Sequence, residues 1–333
     1  MKVSQLIFAL LLLCFCGIGF AHSQNNSKKD KPKDYKFTPK SVEVKANLMV
    51  LESDGKFADI KPEDLKIYED GTEQKITYFA KKENALNLGL VVDNSGSMRD
   101  IFNEVIFAGS TVVANLKPED EAFFIRFVSS DLVQVIQDWT LDKRKLELEI
   151  QNMFVEGGRT AVVDALYLAA EKILEREKQD KSKRYALLLI SDGVEADSFY
   201  NLDQLLGLFK DTDLQIFTFS FPGEKQFKLD KDRRNSIKGD KGKKPLLLNN
   251  ILAFETGGTA YTLPANYTRT NIADALKKLV SEMRSQYVIG YTSTNQKRND
   301  KPRSLRVEIT DTQTGEKRQG FVRENFVAQK DID

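Results

Sequence analysis

The sequence is poor in histidine and cysteine. Its 333 residues include one histidine and two cysteines. These are His22, Cys14 and Cys16, all near the start of the chain. Beyond His22 there is neither imidazole nor thiol. That excludes Ser-His-Asp and Cys-His catalysis from the body of the chain, and ordinary zinc sites with them. An excess of charge of one sign is lacking too. Lys and Arg total 50 against 49 Asp and Glu, a formal net charge of +1. So even a balance gives no global basic field, and no nucleic-acid partner is expected. After Cys16 no apolar run has the length of a transmembrane helix, so no stable membrane span is expected once the leader is removed.

What is present first reads as a secretory signal over residues 1–23, with a retained membrane anchor as the alternative, for which the apolar stretch is short. Lys2 supplies the positive end and residues 6–16 the apolar stretch. Gly19-Phe20-Ala21 or Ala21-His22-Ser23 offers small residues for cleavage. Leu13 and Phe15 precede the two cysteines, where a lipid-attachment signal has a small residue. The exported chain therefore carries no cysteine. Exported animal proteins usually contain disulfides, so a disulfide-free exported chain points to a bacterial envelope, periplasmic or extracellular.

Residues 24–40 are polar and lysine-rich, with Pro32 and Pro39, and read as a disordered linker. Residues 41–82 read as a β segment. Val42 to Lys45 alternates, 48–51 continues as strand, and Asp70-Gly71 marks a hairpin turn between strands at 66–69 and 74–79. From Leu86 the pattern changes to strands alternating with helices and holds to Ser285. Helical faces recur at 101–116, 143–153, 162–174, 202–209, 246–254 and 270–285. Apolar strands lie at 88–92, 122–128, 185–190 and 214–219, with a short one at 132–136. This alternation implies an α/β fold: a doubly wound, mostly parallel, Rossmann-like sheet with helices on both faces. Residues 287–327 return to strand, and 328–333 form a tail. Each β segment alone has too few strands for a sound core. The expectation is that they pack together as one smaller β-rich domain, with the α/β domain of 86–285 inserted between them.

The stretch LGLVVDNSGSM over 88–98 organises the chain. Its apolar run is a buried strand, and Asp93, Ser95 and Ser97 follow at alternating positions. A turn between strand and helix lies at the carboxyl edge of an open α/β sheet, where ligands sit. One carboxylate and two hydroxyls form an all-oxygen set suited to Mg²⁺. Two further stretches point to the same edge. Gly157-Gly158-Arg159-Thr160 precedes a helix, where Thr160 could equally serve as an N-cap. Ser191-Asp192-Gly193 follows an apolar strand, where Asp192 could equally close a turn.

Taken together, Asp93-Asn94-Ser95-Gly96-Ser97, Thr160 in GGRTAVVDAL and Asp192 in LLLISDGVE resemble the von Willebrand factor A domain family, over roughly residues 87–285. They match all five positions of its metal-ion-dependent adhesion site. The flanks, LKIYEDGTEQKITYF and RSQYVIGYTS, resemble bacterial exported proteins with related domains. The resemblance implies Mg²⁺ or Mn²⁺ bound by Ser95, Ser97 and Thr160 directly, and by Asp93 and Asp192 mainly through water. It implies a protein partner that supplies an Asp or Glu to the metal, and no catalytic residues. Two other uses of the site are an envelope assembly factor or chaperone, and a metal-dependent hydrolase with Asp164, Glu156 or Glu195 as base. The run over 224–244, rich in lysine and arginine, follows a strand end. It is either a solvated insertion or an extension of the docking surface toward an acidic partner.

Overall fold

The computed structural model describes residues 41–52, 58–180, 183–209, 212, 214–222, 248–299 and 301–328. The secretory signal, the linker, the basic run over 224–244 and all but the first residue of the tail lie outside the described residues.

The described residues begin with four strands: β1 (Glu43–Leu51), β2 (Leu65–Glu69), β3 (Thr72–Gln74) and β4 (Ile76–Glu83). The Asp70-Gly71 turn joins β2 to β3. Both residues have positive φ, 46° and 78°, as a two-residue hairpin with right-handed strand twist requires. The α/β section follows with β5 (Leu86–Asp93), α1 (Phe102–Ala114), β6 (Glu121–Phe127), β7 (Val133–Thr140), α2 (Lys143–Gln151) and α3 (Val162–Gln179). It continues with β8 (Arg184–Ser191), α4 (Leu202–Gly207), β9 (Gln215–Ser220), α5 (Leu248–Thr256), β10 (Ala260–Thr262) and α6 (Arg269–Arg284). Four strands complete the fold: β11 (Ser285–Thr292), β12 (Pro302–Thr310), β13 (Lys317–Phe321) and β14 (Asn325–Val327).

The α/β section forms a six-stranded sheet in the order β10-β9-β8-β5-β6-β7. All pairings are parallel except β6 with β7. β5 and β8 are buried along their whole length, because helices cover both faces. Leu88, Leu90 and Val92 of β5 pack with α1, α2 and α6, while Val91 packs with α3, α4 and α5. α3 comes close to the sheet through Ala165, Ala169 and Ala170. On that same face Gly89 leaves room for its neighbours: a Cβ there would lie 2.5 Å from Leu187 and 2.6 Å from Phe123.

The two flanks form one antiparallel sheet, in the order β3-β2-β12-β13-β1-β11-β4, with β14 on β12. β1 sits between β11 and β13, so the first flank is completed by the second. Buried polar groups join them as well. Glu69 accepts hydrogen bonds from Arg303 and Ser293, each at 2.8 Å, and the Tyr287 hydroxyl accepts from the Ile60 N–H at 2.9 Å. The fold class is therefore the expected one: a mostly parallel α/β sheet and a separate β-rich sheet built from both flanks.

Some element boundaries differ from the sequence reading. The strand read at 74–79 is two strands, broken at Lys75. Gln74 exchanges hydrogen bonds with Thr294 through its side-chain amide, while β4 leaves to pair with β11. The strand read at 132–136 runs to Thr140. It lies at the sheet edge, where only partial burial erases the apolar alternation. The last strand is interrupted between Phe321 and Asn325.

The neck between the two sheets centres on Asp120, which is fully buried. Its carboxylate accepts from the Leu86 N–H (2.9 Å) at the start of β5 and from the Lys117 N–H (2.5 Å). It also pairs with the Arg284 guanidinium (2.7 Å) at the end of α6. Removing one partner of a buried pair strands the other charge. Asp120→Ala is therefore expected to destabilise the fold by about 3–5 kcal/mol; a loss below about 1 kcal/mol in denaturant unfolding would contradict this. Glu282 on α6 is also buried, and burial pushes its carboxyl up to about 7, against Lys278 and the Thr259 hydroxyl, which lower it. The native state thus holds this proton at pH values where the unfolded chain has lost it. Stability from this group is greatest at low pH, declines as pH rises from about 4.5 to 7, and is lost above. Glu282→Gln should raise the melting temperature at pH 8 and leave it nearly unchanged at pH 4. An equal effect at both values would rule this out.

Candidate metal centre

β5 ends in Asp93, and the chain then turns sharply. Asp93 Oδ1 accepts the Ser95 N–H at 2.9 Å, folding the loop back over the strand end. Its Oδ2 accepts from the Ser191 hydroxyl at 2.9 Å, tying β5 to the end of β8. A 3₁₀ turn over Gly96–Ile101 follows and leads into α1. The Ser95 and Ser97 hydroxyl oxygens are 3.1 Å apart, and the Thr160 hydroxyl donates to Ser95 Oγ at 3.2 Å. Asp192 directly follows β8, and its Oδ1 accepts the Val194 N–H at 3.1 Å.

Sheet topology explains this meeting. From β5 the chain proceeds to β6 on one side, while β8 and β9 lie on the other. The crevice outside the carboxyl ends of β5 and β8 is the point where strand order reverses, a position at which loops diverge and leave room for a ligand. Asp93 and Asp192 stand at those two strand ends. Thr160 does not cap α3: the helix starts at Val162, and its N-cap residue is Ala161. The Thr160 hydroxyl goes to Ser95 instead. Asp192 does close a turn, through Val194.

The loop bearing Thr160 is held from several directions. Asn94 is buried; its side-chain amide donates to the Phe154 carbonyl at 3.2 Å, and its own carbonyl accepts from the Glu156 N–H at 3.1 Å. Arg126 pairs with Glu156 at 3.2 Å. The Ala161 N–H donates to the Val128 carbonyl at 2.7 Å. On the far side, the Thr160 carbonyl accepts from the Ala196 and Asp197 N–H groups at 2.8 and 3.1 Å, fastening the loop after Asp192.

Electrostatically the site is strained toward a cation. Asp93 is fully buried, and burial pushes its carboxyl up to about 7, with the Asp192 charge adding to the rise. Hydrogen bonds from Ser95 and Ser191 work in the other direction. Among the described residues no cluster of three or more His, Cys, Asp or Glu side chains could hold a metal. The group here has another composition: three neutral hydroxyls beside two carboxylates. An all-oxygen set of that kind fits a hard divalent cation, and a positive ion would relieve the repulsion between the two buried acids.

Residues 87–247 match the family model of the von Willebrand factor type A domain. This part of the chain is a von Willebrand factor type A domain. Proteins with such domains commonly use them to contact other proteins. A comparison with curated protein sequences gives no match. Among solved structures the domain is similar to an aerotolerance-related membrane protein from Bacteroides fragilis NCTC 9343. The two are 15% identical, with a TM-score of 0.45, over 60% of this chain and 98% of the other. The conserved hypothetical protein BatB from Bacteroides thetaiotaomicron is also 15% identical, with a TM-score of 0.44, over 60% and 98%. A von Willebrand factor type A protein from Catenulispora acidiphila is 12% identical, with a TM-score of 0.45, over 85% and 76%.

Several supporting residues of the domain escaped the sequence reading. Ser191 orients Asp93; its signal was a hydroxyl at the end of an otherwise apolar strand. Asn94 joins two loops, and nothing in its spacing marks it. Asp164, one of the candidate bases, has both oxygens taken by the Phe199 and Tyr200 N–H groups, each at 2.8 Å. Glu195 likewise accepts from the Val163 N–H and from Ser198. One glycine in the Thr160 loop is obligatory. Gly158 has φ 142°, and a Cβ there would lie 2.6 Å from Val128. Gly158→Ala should therefore cost about 1–3 kcal/mol of stability. A neutral Gly158→Ala in thermal unfolding would show that the loop relaxes freely.

Proposed function

We propose that this is an exported bacterial protein that binds a protein partner through a divalent cation, Mg²⁺ or Mn²⁺, held at Asp93, Ser95, Ser97, Thr160 and Asp192. The observation that carries the reading is the run of three hydroxyl oxygens, spaced 3.1 and 3.2 Å, beside buried Asp93 at the switch point of the sheet. Ser95, Ser97 and Thr160 would offer neutral oxygens, and Asp93 and Asp192 their carboxylates. When bound, the ion supplies an electrophilic point that takes a carboxylate from an Asp or Glu of the partner. Ser191 keeps Asp93 turned toward the hydroxyls. Asn94 and Arg126 keep the Thr160 loop in register with them.

A binding role is favoured over hydrolysis by the fate of the three candidate bases. Asp164 and Glu195 are occupied by backbone N–H groups, and Glu156 is paired with Arg126. The export reading rests on residues 1–23. Among the described residues no helix is long and apolar enough to cross a membrane.

Titration calorimetry with Mg²⁺ tests the metal. Asp93→Ala should abolish binding while unfolding stays cooperative. Ser191→Ala should weaken it by roughly ten-fold, the effect of losing one hydrogen bond to a charged group. Equal affinity in wild type and Asp93→Ala would refute the site. A pull-down from envelope extract with and without chelator, with Asp93→Ala as control, then tests whether partner capture needs the metal.

A further inference from the structure

Two exposed aromatic side chains flank the proposed metal residues. Phe199 is 82% exposed and Phe154 is 55% exposed. Neither sits on a free loop. The Phe199 and Tyr200 N–H groups are both taken by the buried carboxylate of Asp164, in the first turn of α3, just beyond Thr160. The preceding residues Ala196 and Asp197 are bonded to the Thr160 carbonyl itself. The rings form a built platform. Phe199 meets Tyr200 edge to face at 5.3 Å and 87°, and Tyr200 stacks on Tyr167 at 3.8 Å and 4°. On the other side the Phe154 carbonyl is held by Asn94, and the Arg126 guanidinium lies 4.8 Å from its ring centre. The backbone under each exposed ring is thus fixed by hydrogen bonds to side chains next to the residues that would hold the ion: Asn94, between Asp93 and Ser95, and Asp164, four residues after Thr160.

Leaving a phenylalanine in water forgoes about 1.5–3 kcal/mol of burial. Fixing the backbone beneath it removes much of the ordering cost of binding, which is how a preorganised contact surface gains affinity. Charge also defines the occupant. Exposed Arg99 lies two residues after Ser97, and exposed Arg159 directly precedes Thr160, so cationic side chains border the site on two of its three loops. An acid is the complementary ligand. The rings add a second requirement that the ion alone does not impose.

Resting on the metal reading above, we propose that the partner is a protein segment carrying one acidic side chain with an apolar side chain close on each side. The acid meets the ion, one apolar neighbour packs on the Phe199–Tyr200–Tyr167 platform, and the other packs on Phe154. Apolar side chains are the complement of the two exposed phenyl rings, which favours a peptide over an acidic polysaccharide.

The test uses the full exported chain, loaded with Mg²⁺, and a display library of peptides with one fixed central Asp and randomised flanks. Binders are selected on wild type, on wild type with chelator, on Asp93→Ala, on Phe154→Ser and on Phe199→Ser. Chelator-sensitive binders should be enriched in apolar residues on both sides of the Asp. Each serine variant should weaken them about ten-fold while Mg²⁺ affinity is unchanged. Chelator-sensitive binders without apolar enrichment, or with affinities indifferent to both serine variants, would overturn the inference and leave the metal site standing. A chain that takes up Mg²⁺ but yields no chelator-sensitive peptide, while a uronic-acid oligosaccharide binds and is lost in Phe199→Ser, would overturn it in favour of a polysaccharide. Absence of any Mg²⁺ binding would overturn both readings together.

Discussion

Everything in this molecule depends on the chain entering and leaving the inserted domain at one place. Asp120 enforces that. A single buried carboxylate binds the amide where the chain enters, at Leu86, and the guanidinium where it leaves, at Arg284. Charge-assisted hydrogen bonds of this kind are strong in a low-dielectric setting, and the pair is satisfied on both sides. Because the two ends are clasped together, β4 and β11 emerge as neighbours and pair along their length. The flanking sheet then closes around β1, and Met49 and Leu51 of that strand reach the core beneath α1 and α6.

The opposite pole follows a different logic. There the strand order reverses, and the loops after β5 and β8 and the loop before α3 crowd oxygen atoms together. Three hydroxyls satisfy one another in part, and Ser191 donates to buried Asp93, whose carboxyl also feels the Asp192 charge. Stability alone would not select such a cluster, since buried like charges cost free energy. A cation makes sense of it. In the surrounding scaffold Arg126 is paired with Glu156, and the Asp164 carboxylate is taken by two N–H groups.

Much of this was legible in the sequence because it follows from local rules. Continuous apolar runs gave β5 and β8, period-3.6 patterns gave α1 and α3, and an Asp-Gly pair gave the β2–β3 turn. The separation of site residues along the chain hid nothing, since each follows a strand end or precedes a helix. What was not legible depends on partners distant in sequence. Lys75 breaks a strand only because Thr294 captures Gln74. β7 is half-exposed at an edge, so its pattern is diluted. Ser191 gains its role from Asp93, 98 positions away, and Asn94 from Phe154, 60 positions away. No spacing rule announces Asp120, whose partners come from three separate elements.

The central place of β1 has a kinetic meaning. Lys45 pairs with Gly290, and Val50 with Gly320, so this strand is among the first described and its neighbours are among the last. For a flexible chain, closing so long a loop carries a large entropic cost before any pairing compensates. A folded domain in between alters that. Once Leu86 and Arg284 are joined at Asp120, the intervening chain no longer counts as loop, and β1 has only short tethers to close over. The clasp at Asp120 thus shortens the loop that must close for the outer sheet to find its register.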